Sequence, residues 1–166
     1  MRTRRTGFTL VEILIVITIV GILSAIAMPK ITQWRARSRL TSARQVLTAS
    51  IAMARAAAVQ KGFTSRLRLG NNEILVEVDT SSVPGVPKLA IIKRVSLLEE
   101  YGATVVFVAD SDVQSTMDLY YDPRGFAQPR LPAVGGPNVF RLAAGARTDS
   151  VCLARLGQIL PRGCTP

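Results

Sequence analysis

Glu12 is the only charged residue between Phe8 and Met28, in a stretch otherwise built from apolar and small side chains. A carboxylate in that setting is expensive. It has a partner or a function, or it lies near a membrane face and snorkels into water. The other groups that could do chemistry are few: Cys152 and Cys164 near the C-terminus, Asp110, Asp112, Asp118 and Asp122 in or near expected loops, and a basic set of Arg124, Arg130, Arg141, Arg147, Arg155 and Arg162. There is no histidine. Histidine is the usual base at neutral pH and the commonest metal ligand, so Ser-His-Asp, Cys-His and histidine-metal chemistries are excluded. An oxygen-rich calcium site uses carboxylates, but the four aspartates match no calcium loop and lack the glycine of its sharp turn, so they read as solvated loop acids. No glycine-rich phosphate loop opens a helix, and no nucleophile has a base beside it. The residues therefore predict no enzyme, no cofactor and no metal.

The charge balance points to partners. Formal net charge is +10, and Arg2, Arg4 and Arg5 supply three of those positive charges ahead of the apolar stretch. The rest of the chain stays basic without them, which suits phosphate, an anionic lipid surface or an acidic partner. A basic C-terminal region holds DNA through its phosphates with an affinity that falls as salt rises, and Arg155 and Arg162 are the candidates for that role. Aromatic residues near them are scarce, so backbone binding is favoured over base stacking. Cys152 and Cys164 allow two readings. In an exported domain they join as one disulfide that stabilises by roughly 3 kcal/mol through the unfolded chain, and otherwise they are two buried thiols.

The elements that position these groups begin with the apolar segment. It is long enough to cross a bilayer as a helix, which takes roughly 20 apolar residues. The arginines ahead of it keep that end in the cytoplasm and put the remainder outside. A cleaved secretory signal is the competing reading, with Ser24-Ala25-Ile26-Ala27 as its cut site. From Lys30 to Lys61 there is no proline or glycine, and Ile31, Trp34, Leu40, Ala43, Leu47, Ile51, Ala54 and Ala58 recur every three or four residues. That period makes one apolar stripe on a helix that ends at Gly62, with Arg35, Arg37, Arg39, Arg44 and Arg55 on the other faces. Trp34 either marks the membrane interface or packs on the domain that follows.

After Gly62 the pattern alternates. Residues 63–69 and 73–78 flank Gly70-Asn71-Asn72 as a hairpin, and further strands are expected at 89–95, 104–108, 117–121, 138–143 and 151–156. Residues 80–87 and 129–137 read as exposed loops.

Gly7-Phe8-Thr9-Leu10-Val11-Glu12, behind a short basic leader and ahead of an apolar helix, resembles the type III signal of type IV prepilins and type II secretion pseudopilins. The resemblance implies a prepilin peptidase that cuts between Gly7 and Phe8 and methylates Phe8. It also implies that Glu12 is the assembly carboxylate, pairing with the free N-terminus of a neighbouring subunit, and that Pro29 kinks the helix. The rest of the chain resembles minor pseudopilins and minor pilins of the GspH/FimT type, through Ala52 to Gly62, Tyr121-Asp122-Pro123-Arg124-Gly125 and Cys152 to Cys164. DNA-binding members carry a Gly-Arg pair where Gly157 here precedes Gln158, a departure that weakens a direct transfer of DNA binding.

The expectation is thus an α+β chain. Residues 1–7 form a leader, 8–29 a transmembrane and assembly helix, 30–62 the amphipathic half of the same helix, and 63–166 a β-rich head with a small antiparallel sheet. The expected partners are other pilin or pseudopilin subunits, the prepilin peptidase and the inner membrane, with DNA as the alternative. The head lies in the periplasm until the subunit joins a periplasmic or extracellular filament.

Overall fold

A computed structural model describes residues 9–81, 88–109, 112–129, 138–154 and 157–160, with the backbone alone at 26, 27, 29, 109, 112, 129 and 138. The chain divides into two compact units, Met1–Arg35 and Ala36–Pro166. One helix, α1 (Leu10–Lys61), contributes to both.

In the first unit the described leucine, isoleucine and valine side chains of α1 are exposed at nearly every position from Leu10 to Leu23. A helix that is apolar all round is stable only against lipid or other apolar helices. No single helix is long and apolar enough to cross a membrane, but Leu10–Ala25 and Lys30–Lys61 meet the length and composition required as a bent pair. Pro29, at which a kink is expected, lies between those pieces in sequence, and its side chain lies outside the described residues.

The second unit is an α+β head. Leu40, Ala43, Leu47, Ile51, Ala54 and Ala58 are buried along one face of α1. Ile31 and Trp34 are exposed, so the buried stripe starts about two and a half turns later than expected, at Leu40, the first of these positions with a packed core against it. The strands form two five-stranded antiparallel sheets among the described residues, the expected antiparallel β head. The first holds β1 (Ser65–Gly70), β2 (Glu73–Asp79), β3 (Leu89–Ser96), β6 (Thr116–Tyr121) and β7 (Ala127–Pro129) in the order β3-β2-β1-β6-β7. The second holds β4 (Thr104–Ala109), β5 (Asp112–Gln114), β8 (Asn138–Ala144), β9 (Arg147–Leu153) and β10 (Ile159–Leu160) in the order β10-β9-β8-β4-β5. Leu47 and Ile51 of α1, Leu67 and Leu119 of the first sheet and Phe107 and Phe140 of the second belong to one core. Small residues on α1 let β1 come close: the buried Ser65 hydroxyl donates to the Ala54 carbonyl at 2.6 Å.

A two-residue turn between β1 and β2 ties the first sheet to the second by a hydrogen bond. Asn71 and Asn72 have φ of 51° and 64°, the double left-handed conformation of a tight hairpin that asparagine tolerates. Asn72 Oδ1 accepts from the Val105 N–H of β4 at 3.0 Å, and its carbonyl accepts from the Leu97 N–H at 2.8 Å. Leu97 opens α2 (Leu97–Tyr101), a short helix capped by the Ser96 hydroxyl and closed by left-handed Gly102.

The sequence pattern contains no sign of α2, β5, β7 or β10, each too short to show a period. The last long strand lies at Arg147–Leu153 instead of 151–156, because a turn at Gly145 folds it back on β8. Most of the two expected loops, residues 82–87 and 130–137, falls outside the described residues.

Candidate functional site

At the amino-terminal end Gly7 and Phe8 lie outside the described residues. Thr9 caps α1: its Oγ1 accepts from the Glu12 N–H at 3.2 Å, and its carbonyl accepts from the Ile13 N–H at 3.3 Å. Thr9 and Glu12 have the three-residue spacing of a capping box. The helix therefore begins beside the residue expected to become the mature N-terminus, and it sets an exposed carboxylate in its first turn. Free N–H groups and the helix dipole favour negative charge there, which offsets part of the penalty of the apolar surroundings.

The head acids are engaged in structure. Asp118 pairs with Arg68 at 3.1 Å and faces Arg66, which itself forms a tight pair with the buried Glu77. Burial lowers the Arg66 pKa, but hydrogen bonds to Glu77 and Tyr120 and the charges of Glu77 and Asp118 outweigh it and raise the value above the ordinary one. Asp122 organises a turn, accepting from the Arg124 and Phe126 N–H groups at 3.0 and 2.8 Å. Asp110 and the Asp112 side chain lie outside the described residues. Among the described residues no group of three or more Cys, Asp or Glu is placed to hold a metal ion.

Of the C-terminal candidates, Cys152 is buried and disulfide-bonded. Cys164, the other cysteine in the sequence, lies outside the described residues, as do Arg155, Arg162 and Arg130. Arg124, Arg141 and Arg147 are exposed, and Arg44 on α1 pairs with Asp149 of β9 at 3.1 Å.

The β6–β7 turn and the segment before β10 meet the C-terminal part of α1. Tyr121 is fully buried, and its hydroxyl donates to the Gly157 carbonyl at 3.3 Å. Burial pushes its pKa from 10.0 up to about 12, against the opposing charge of Arg55. The folded state therefore favours the neutral phenol. Its contribution to stability is complete below the unfolded value and is lost as pH rises from about 10 to about 12. Absorbance titration is expected to show a tyrosinate step near the upper value that Tyr121→Phe removes. Beside Tyr121 an open groove of about 650 Å³ runs between α1 and the start of β10, lined by Ile51, Arg55 and Val59 on one side and Gly157 and Ile159 on the other. Sequence reasoning placed Arg55 on a solvated face. It is half-buried at this groove, because Gly125 packs against its side chain: a Cβ there would lie 3.2 Å from Arg55 Nε.

A long N-terminal helix, buried in its second part against antiparallel sheets, makes this an α+β fold. Residues 2–28 match the family described as the prokaryotic N-terminal methylation motif. Type IV major pilin protein PilA of Myxococcus xanthus (strain DK1622) is 48% identical over 46 residues, 28% of this chain and 21% of that protein. Type IV major pilin protein PilE1 of Neisseria gonorrhoeae is 49% identical over 43 residues, 26% of each chain. The alignments thus span about a quarter or less of those relatives. The crystal structure of the type IV minor pilin FimU of Pseudomonas aeruginosa (strain PAO1) has the same fold: the TM-score is 0.53 at 14% identity, covering 77% of this chain and 91% of that one. The chain thus carries the N-terminal methylation motif at its start and shares the fold of that minor pilin behind it.

Proposed function

We propose that this chain is a minor pilin or pseudopilin, a structural subunit of a type IV pilus or type II secretion filament. It enters the inner membrane through residues 8–29, with its head outside, and prepilin peptidase trims it after Gly7 and methylates Phe8. The subunit then leaves lipid for the flanks of neighbouring helices, where Glu12 meets the amino group that trimming has exposed. The observation that carries this reading is the first unit of α1: nearly every described side chain is apolar and exposed, and Glu12 is its only acid before the basic residues begin at Lys30. Such a helix needs apolar company on all sides, and its carboxylate needs one cation among that company. The role calls for no reacting group.

Residues 30–62 act in this reading as the lever that joins membrane segment and head. The DNA-binding alternative rests on basic composition, since Arg155 and Arg162 lie outside the described residues. Mass spectrometry of the mature chain tests the proposal, and N-methylated phenylalanine at residue 8 is the expected start. A start near residue 28 would mark an ordinary secretory signal and sink it.

A further inference from the structure

The described acids of the head have partners, with two exceptions. Glu73, Glu77, Asp118 and Asp149 are ion-paired, and Asp79 and Asp122 accept backbone N–H groups. The carboxylates of Glu99 and Glu100 on α2 are exposed and have no ion pair or hydrogen bond among the described residues, and Leu98 beside them is 50% exposed. α2 therefore presents an apolar residue followed by two bare negative charges.

The Arg55 groove has the opposite chemistry. Among the described residues its walls are mainly aliphatic, with Val59 52% exposed, and its one formal charge is a half-buried guanidinium with no ion pair there. An aliphatic side chain followed by a carboxylate fits this groove on both counts.

The two features cannot meet within one molecule. The end of α2 lies against the early part of the buried α1 stretch, since a Cβ on Gly102 would be 3.5 Å from an Arg39 guanidinium nitrogen. Arg55 lies sixteen residues further along the same helix, roughly 24 Å at the rise of an α-helix. Complementary patches at two different places on one molecule form a head-to-tail contact, which builds an open run of copies wherever its rotation does not close a ring.

We propose that α2 of one copy, through Leu98, Glu99 and Glu100, seats in the Arg55 groove of a second copy, so that heads of this chain stack end to end. The proposal rests on the filament reading above and deepens it: copies of this chain would then enter as a run of like heads. Opposite charges brought together at a partly desolvated contact fix its register and exclude like-charged neighbours.

The test uses the full chain in cells that assemble it, with a photoreactive amino acid in place of Ala56, which lines the groove. The expected product is an adduct between two copies that peptide mapping locates to residues 97–101. Arg55→Glu is expected to lower its yield about tenfold, the loss of one good charge pair, and Arg55→Gln to lower it less. Combining Arg55→Glu with Glu99→Arg and Glu100→Arg restores the pair with its signs exchanged, and restores the adduct. That rescue separates a lost contact from a misfolded head. Methylation of Phe8 and entry into sheared filaments are scored in the same samples. Normal methylation and entry with no adduct at α2, with an adduct to a different subunit, or with no rescue overturns the stacking alone. Absent methylation and absent entry overturn the filament reading.

Discussion

Replacing Glu12 with alanine is expected to leave insertion and trimming intact and to remove the chain from filaments. Its carboxylate is the one acid of a helix whose other described side chains up to Leu23 are uncharged and mostly apolar and exposed. In the proposed assembly it neutralises the amino group of a neighbouring subunit in a dry bundle. Removing one partner of a buried pair leaves the other charge uncompensated, at about 3–5 kcal/mol. That corresponds to a fall of roughly a hundredfold or more in incorporation. Glu12→Gln keeps the size and hydrogen-bonding capacity but not the charge, and it is expected to fail nearly as badly. The measurement is the ratio of sheared filament to membrane-bound chain on quantitative blots, with the N-terminus checked by mass spectrometry. If both variants enter filaments at the parent level, the charge has no part in assembly. If neither variant is trimmed, Glu12 acts at the earlier, peptidase step.

Gly157→Ala is expected to have the largest effect on the stability of the head. Gly157 has φ of +78°, which L side chains rarely adopt, and a Cβ there would lie 2.5 Å from Ala127 Cβ and 2.8 Å from Tyr121 Cε1. Left-handed strain accounts for about 1–2 kcal/mol. Overpacking against Tyr121 and Ala127 adds about 1–3 kcal/mol, since neither can withdraw without opening the core. A total near 3 kcal/mol lowers the midpoint of thermal unfolding by roughly 10 °C in a domain of this size. Gly145→Ala is the control, because that glycine also has positive φ (+61°) but a Cβ there would meet nothing within 4 Å. Thermal unfolding of the full chain in detergent, followed by near-ultraviolet circular dichroism, distinguishes the two. Equal midpoints for both variants would mean that the close approach at Gly157 contributes nothing.

The fold was readable wherever one physical pattern persisted over many residues. The apolar stretch after the basic leader, the three-and-four spacing of Leu40, Ala43, Leu47, Ile51, Ala54 and Ala58, and the alternation around Asn71-Asn72 each extend over at least two turns of helix or a full strand. Each corresponds to an element at nearly the expected place. Elements of two to five residues, α2, β5, β7 and β10, are too short for a period, so nothing marked them in advance. The candidate site divides in the same way. Gly7, Phe8 and Glu12 stand out from local order alone, because a placed glycine, a leader and one acid in an apolar run are properties of neighbours in sequence.

The sequence by itself therefore determined the α+β class, the pilin-like start and the absence of histidine chemistry. All three depend on composition and on the near spacing of residues, which folding does not change. Tertiary structure alone decided that the head has two sheets joined through Asn72, and that Asp118 and Asp122 are engaged in an ion pair and a turn. It also decided that Arg55 lies half-buried at a groove while Glu99 and Glu100 stand exposed, with no ion pair among the described residues, near the earlier part of the buried helix stretch. These relations join residues tens of positions apart. They exist only because the chain closes long loops to bury one core, and no local pattern encodes which distant surfaces that closure leaves bare.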